Sequence, residues 1–357
     1  MRFSLFIHME RYDESLTPGQ HWENLVELTQ LAEAGGFSTV WIGEHHSMEY
    51  TVSPNPLPQL AYLAAKTSTI RLGAGTIIAP FWNPIRAAGE VALLDVISNG
   101  RAELGVARGA YQFEFDRVAG GLPATDGGKH MQEIIPAIQK LWEGDYAHDG
   151  EVWQFPTSTS VPKPVQRKVP VWVAARSPES HDYAVANGCH VMVTPLMKGD
   201  EEVESLVEKY ETAIANHPEI TERPDIMVLR HTYVHSADEP EAWRPAAEGI
   251  QKFYRTFDAW FGNKTTPVNG FLEPSPLEKF EGRAEFTPES LHKTAMIGTP
   301  DEVVERLRRY EDLGVTEYSF WNDNSLSHEE KKRSLQLFID EVVPQFAQAP
   351  SALAMEK

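Results

Sequence analysis

Cysteine, basic residues and long apolar runs are all scarce in this chain. Cys189 is the only cysteine in 357 residues, so neither an intrachain disulfide nor a cysteine-based metal cluster can form, which suits a reducing compartment. Lys and Arg number 32 against 52 Asp and Glu, a formal charge of −20. A field of that sign repels phosphate backbones and anionic lipid, and so argues against nucleic acid and membrane partners. No stretch approaches the roughly 20 apolar residues that span a bilayer. The opening MRFSLFIHMERYDES lacks the long apolar core of a secretory signal, and the expected location is cytoplasmic. What the chain does have is core material: 41% of residues are apolar, including 16 Phe and 9 Trp, ample for a large globular fold.

Short apolar runs alternate with longer stretches of helical spacing, the signature of βα units around a parallel sheet. Eight runs qualify as strands: Arg2–His8, Thr39–Gly43, Ile70–Ile78, Ala102–Ala107, Val169–Ala174, His190–Thr194, Asp225–Val234 and Glu317–Trp321. Most are nearly continuous in apolar residues, as buried parallel strands should be. Between them the period changes, as in Trp22, Leu25, Leu28 and Leu31 or Met131, Ile134, Ile135 and Ile138, stripes that mark helices packed on a core. Gly35 and Gly36, and then Asn99 and Gly100, read as left-handed helix stops. The prediction is one α/β domain over 1–357, a (β/α)8 TIM barrel. Two segments interrupt the alternation, about 143–168 after strand 4 and 258–299 late in the chain. The second is too long for an ordinary barrel loop and reads as a lid, a packed surface excursion or an interface arm.

Barrel enzymes build their sites from loops at the carboxyl ends of the strands. Glu44, His45 and His46 follow strand 2; Phe81 and Trp82 follow strand 3; Arg108, Gly109, Ala110 and Tyr111 follow strand 4; Arg176, Ser177 and Ser180 follow strand 5. A metal-dependent hydrolase using His8, His45 and His46 is one reading. Adjacent residues on an extended segment point to opposite sides, so both histidines reach one ion poorly, and no metal site is expected. Proton transfer is the better reading, since one histidine poised near neutral pH suffices and neighbouring Glu44 can orient it. Packing alone stays open as an account of the trio, and His46 has no assigned role. Ser177 and Pro178 open a helix whose first-turn amides make an anion site, to which Arg176 adds a charge-assisted fork. A phosphate of a cofactor or substrate suits it.

Four stretches together carry a resemblance: GFSTVWIGEHH, IRLGAGTIIAPFWNPIRAAGEVALLDVISNGRAELGVARG, VPVWVAARSPES and MIGTPDEVVERLRRYEDLGV. Over nearly its whole length the chain resembles the bacterial luciferase-like flavin-dependent monooxygenases. The resemblance implies a barrel fold and reduced FMN, delivered by a separate flavin reductase, with O2 as co-substrate. It implies that Gly75 and Thr76 form a non-prolyl cis peptide beside the flavin ring, and that Glu44 and His45 are the acidic and catalytic positions. Arg108, Gly109 and Ala110 would border the cofactor, and Ala175, Arg176, Ser177 and Ser180 would hold its phosphate. A homodimer is implied as well. His8, Phe81, Trp82 and Tyr111 would line a substrate pocket for a small apolar or aromatic molecule. Two departures matter: Ala107 stands where luciferase has a reactive cysteine, and Arg176 where it has an acid, so light-emitting aldehyde oxidation is not implied. Within the same superfamily the alternatives are a deazaflavin-dependent oxidoreductase and a non-catalytic flavin-binding relative.

Overall fold

The computed structural model describes residues 1–262 and 265–346. Its strands are β1 (Arg2–Ile7), β2 (Thr39–Ile42), β3 (Arg71–Ile78), β4 (Ala102–Ala107), β5 (Tyr146–Asp149), β6 (Gln154–Ser158), β7 (Val171–Ala174), β8 (His190–Val193), β9 (Ile226–Val234), β10 (Met296–Gly298) and β11 (Glu317–Trp321). Eight of them, in the order β1-β2-β3-β4-β7-β8-β9-β11 and back to β1, pair in parallel all the way round. This is the (β/α)8 barrel expected from the alternation, with each strand within two residues of its predicted bounds.

The helices are α1 (Pro18–Ala34), α2 (Pro56–Ala64), α3 (Pro84–Ile97), α4 (Gln112–Val118), α5 (Gly127–Glu143), α6 (Pro178–Ala186), α7 (Asp200–Asn216), α8 (Trp243–Gly262), α9 (Pro288–Thr294), α10 (Pro300–Asp312) and α11 (His328–Leu337). A short local code starts many of them. Thr17, Asn55, Asn83, Ser177, Thr287 and Thr299 each stand before a proline, and each side chain accepts a first-turn amide. The cap satisfies an orphan donor, while proline at the first helical position forfeits only an N–H that had no partner. Gly36, Asn99 and Gly100 have φ of 77°, 56° and 81°, left-handed stops as anticipated, whereas Gly35 caps α1 at a φ of −79° and is not left-handed. No helix among the described residues is long and apolar enough to cross a membrane.

The barrel interior is filled from its amino-terminal end by large rings and a buried charge network. Trp172 Nε1 donates to Glu103 (2.6 Å), which also pairs with Arg71 (2.5 Å). Trp41 lies against β3 so closely that a Cβ on Gly73 would meet its indole at 2.1 Å, so only glycine fits there.

Both interruptions are more structured than their composition suggests. The segment 143–168 contains the antiparallel β5–β6 hairpin. The 258–299 interval starts too early: α8 runs on to Gly262, because the buried face that carries Phe253 and Thr256 continues past Asp258 with Trp260. Its far end forms α9 and β10, the latter adding in parallel to the end of β9. The stretch between packs on α8, with Arg255 Nε donating to Ser275 O (2.7 Å) and Gln251 Nε2 to Phe286 O (2.7 Å). It also reaches the loop after β2, where Glu49 N donates to Gly270 O (2.8 Å).

Candidate active site

A parallel barrel presents all its strand ends on one face, so the loops after β1, β2, β3, β4 and β7 share a rim. Beyond β2 the chain is pinned by Ser53, whose hydroxyl donates to Gly43 O (2.6 Å) and whose carbonyl accepts from His45 N (2.8 Å). Glu44 is 3% exposed. One carboxylate oxygen accepts from Ile78 N (2.7 Å) and the indole Nε1 of Trp82 (2.8 Å), and the other contacts His46 Nε2 (2.7 Å). Glu44 therefore ties the end of β2 to the end of β3. Burial alone would lower the pKa of His46, but its hydrogen bond to Glu44 and the nearby negative charge outweigh that and raise it.

His45 faces a different acid. Its Nδ1 lies 3.1 Å from Glu114, which is fully buried in the first turn of α4 and also accepts from His46 N (2.7 Å). The carboxylate that orients His45 is thus Glu114 rather than Glu44, a correction that follows from the alternation of an extended segment. Each histidine has its own acid and the two imidazoles do not converge. No three His, Cys, Asp or Glu side chains among the described residues are grouped to hold a metal ion.

Around His45 the walls are aromatic: Tyr111 stands 5.2 Å and His8 5.8 Å away between ring centroids. Burial pushes His8 down to about 3, helped by the neighbouring His45 and opposed by Asp323, so it is neutral at physiological pH. Tyr50, Trp321 and Phe253 enclose His8 at 5.0, 5.4 and 5.6 Å.

On the other side of the rim, the ends of β3, β4 and β7 form a shelf of small residues. The Gly75–Thr76 peptide is cis, and both residues are half-buried although Ala74 and Ile77 beside them are fully buried. Ala174 is exposed at the end of an otherwise buried strand. At the edge of the shelf α6 begins: Ser177 Oγ accepts from Ser180 N (3.3 Å), and Ser180 Oγ accepts from Arg176 N (2.9 Å). The guanidinium of Arg176, about half exposed, reaches Glu202 (2.8 Å) and Thr194 O (3.1 Å). An open shelf ending at a helix N-terminus with hydroxyls and a cation suits a flat ring system with a phosphate tail.

A family model described as luciferase-like monooxygenase matches residues 1–317. The chain belongs to that family. It is 49% identical over 350 residues to the oxygenase component of a flavin-dependent trigonelline monooxygenase of Acinetobacter baylyi, covering 98% of this chain and 96% of the relative. It is 27% identical over 345 residues to a 5,10-methylenetetrahydromethanopterin reductase of Archaeoglobus fulgidus, covering 94% and 99%. The structure of monooxygenase RslO1 from Streptomyces bottropensis superposes with a TM-score of 0.81 at 25% identity, covering 97% and 100%. This luciferase-like chain is a flavin-dependent monooxygenase, an oxidoreductase.

In this luciferase-like barrel the anticipated residues separate into groups. His8, His45 and Tyr111 share one chamber. Trp82 is occupied as a donor to Glu44, and Phe81 packs on His46 and Phe115, each at 5.2 Å. Gly75, Thr76, Arg108, Gly109, Ala110, Ala175, Arg176, Ser177 and Ser180 lie along the ends of the adjacent strands β3, β4 and β7. Gly109 has φ of 83°, and a Cβ there would meet the Phe115 ring at 2.7 Å. The residue missed from sequence is Glu114. Its signal was an acid between two aromatics, Phe113-Glu114-Phe115, just after a strand end, where a buried charge needs a partner.

Proposed function

We propose that the chain is the oxygenase of a two-component system, which takes reduced FMN from a separate flavin reductase and uses O2 to oxygenate trigonelline or a close analogue. Trigonelline is an N-methylated pyridine carboxylate, a small aromatic substrate. The observation that carries the reading is 49% identity across 98% of the chain to a trigonelline monooxygenase component. In this reading Arg176, Ser177 and Ser180 hold the FMN phosphate, and Arg176 exchanges its contact with Glu202 for it. Gly75, Thr76, Arg108, Gly109, Ala110 and Ala175 line the ring. Bound reduced flavin supplies two electrons, so that one atom of O2 enters the substrate and the other leaves as water.

His45 is the proton-transfer residue: Glu114 holds its Nδ1, leaving Nε2 as the working nitrogen. Glu44 is a positioning residue that fixes His46 and the end of β3. His8 and Tyr111 wall the chamber against water, which suppresses wasteful oxidation of the reduced cofactor. Cytoplasmic residence fits the buried thiol of Cys189 and a soluble reductase as donor. A homodimer fits the exposed Leu93, Val96 and Ile97 on one face of α3, an apolar helix stripe that a second copy can cover.

Anaerobic titration with reduced FMN, reduced riboflavin and a reduced deazaflavin, followed by O2 and trigonelline, tests the reading. Reduced FMN is expected to bind at least ~10-fold more tightly than riboflavin, which lacks the phosphate, and product to appear only with O2. Equal binding of riboflavin, or turnover with the deazaflavin without O2, overturns it.

A further inference from the structure

A cavity of about 560 Å³ lies beyond the chamber, between α8, the residues after β1 and the late insertion. Its volume falls within the roughly 300–1,000 Å³ typical of small-molecule sites. We propose that it binds a flat aromatic acid, with Lys252 and Arg255 taking the carboxylate and Tyr12, Tyr50 and Phe271 facing the ring. The inference deepens, and rests on, the reading of the chain as an oxygenase of aromatic carboxylates.

The charge pattern is the first reason. In a chain with 52 acids against 32 Lys and Arg, this cavity is lined by Arg11, Lys252 and Arg255 and by a single acid, Glu273. Arg11 is neutralised by Glu49 at 2.6 Å. The other two cations make no ion pair among the described residues. Lys252 is felt by the carboxylate of Asp13 without pairing with it, and its ammonium stands 4.2 Å from the centroid of the Tyr12 ring. Arg255 uses Nε on Ser275 O (2.7 Å), and its terminal nitrogens have no partner among the described residues. Three residues apart on one helix, two cations held in no ion pair disfavour each other. An anion between them removes that cost and gains charge-assisted hydrogen bonds.

The second reason is independent of charge. Trp260 lies further along α8, borders the cavity, and is 1% exposed, yet its Nε1 has no hydrogen-bond partner among the described residues. Indole is a donor only, so what it lacks is an acceptor. Two cations and an orphan donor of α8 therefore border one cavity with Tyr12, Tyr50 and Phe271, where Arg11 stands over Phe271 at 5.1 Å, and a planar ring suits such aromatic walls. Tyr50 is the common wall: its ring is 5.0 Å from His8, which is 5.8 Å from His45. A ring held against Tyr50 is separated from the His45 chamber by that side chain and His8.

The test is calorimetric titration of the flavin-free protein with trigonelline and benzoate, and with their uncharged-tail counterparts N-methylnicotinamide and benzamide. The acids are expected to bind at least ~10-fold more tightly than the amides. Lys252→Met and Arg255→Met are each expected to cost the acids at least ~10-fold and the amides almost nothing, with Arg255→Lys restoring part of the loss. Amides that bind as well as acids, or variants that bind acids as the native protein does, overturn the site. With reduced FMN and O2, oxygenation of trigonelline at unchanged KM in both Met variants also rejects the site while leaving the oxygenase reading intact. Carboxylate-dependent binding lost in the variants supports the site, even if no acid is oxygenated and the oxygenase reading fails.

Discussion

Replacing Glu44 with glutamine gives a prediction whose size changes with pH. The native carboxylate serves three groups: Ile78 N–H, the Trp82 indole N–H and His46 Nε2. A glutamine oxygen can keep the first two, and its NH2 then faces His46. Neutral imidazole accepts that hydrogen bond; imidazolium cannot, and it loses its counter-charge. The raised pKa of His46 means that the native pair's contribution is fully present below the unfolded histidine value of about 6.5. It is lost as pH climbs through the folded value. Hydrogen bonds to charged groups contribute about 1.5–3 kcal/mol. The His46 side chain is 21% exposed, so about 1–2 kcal/mol is the sensible range. Urea unfolding followed by tryptophan fluorescence should show Glu44→Gln less stable by that amount near pH 5.5, and close to native near pH 8.5. Glu44→Ala strands two buried donors and should cost about 3–5 kcal/mol at both pH values. An equal loss for the glutamine variant at the two pH values would refute the pairing.

Glu114→Ala should lower kcat by about 10–100-fold, by freeing the His45 ring, while the affinity for reduced flavin changes little; rapid-mixing kinetics separates the two. Arg176→Leu should weaken FMN by about 10–100-fold without affecting riboflavin, because only the phosphate contact is lost; fluorescence titration reads both. Gly109→Ala places a Cβ 2.7 Å from Phe115 at a φ of 83°. It should lower stability by about 1–3 kcal/mol, seen as a reduced thermal midpoint.

The barrel was legible because its evidence is local and repeated: buried strands run apolar, helices keep their stripe, and a polar cap before proline starts helix after helix. Strand-end positions were legible for the same reason, since a parallel barrel sends every strand end to one rim. Partnerships were not. Glu44 and His45 are neighbours in sequence, yet each bonds elsewhere, Glu44 across to β3 and His45 to Glu114 on α4. Periodicity fixes which side a residue faces but not what stands opposite it. The capped helix start at Ser177 was readable from Ser-Pro, whereas the hold of Glu202 on Arg176 depends on α7 packing beside α6, which no local pattern encodes. The β5–β6 hairpin and three-residue β10 were hidden within segments rich in turn-forming residues, and β10 forms by pairing with the distant β9, which overrides local preference.

The most direct test of the account supplies the purified chain with enzymatically reduced FMN, trigonelline and dioxygen carrying a heavy oxygen isotope, and measures the label in the product by mass spectrometry. The account predicts one labelled oxygen atom per product molecule, and loss of product in His45→Ala while reduced FMN is still oxidised. Product oxygen drawn from water, or product formed in the absence of dioxygen, would contradict it.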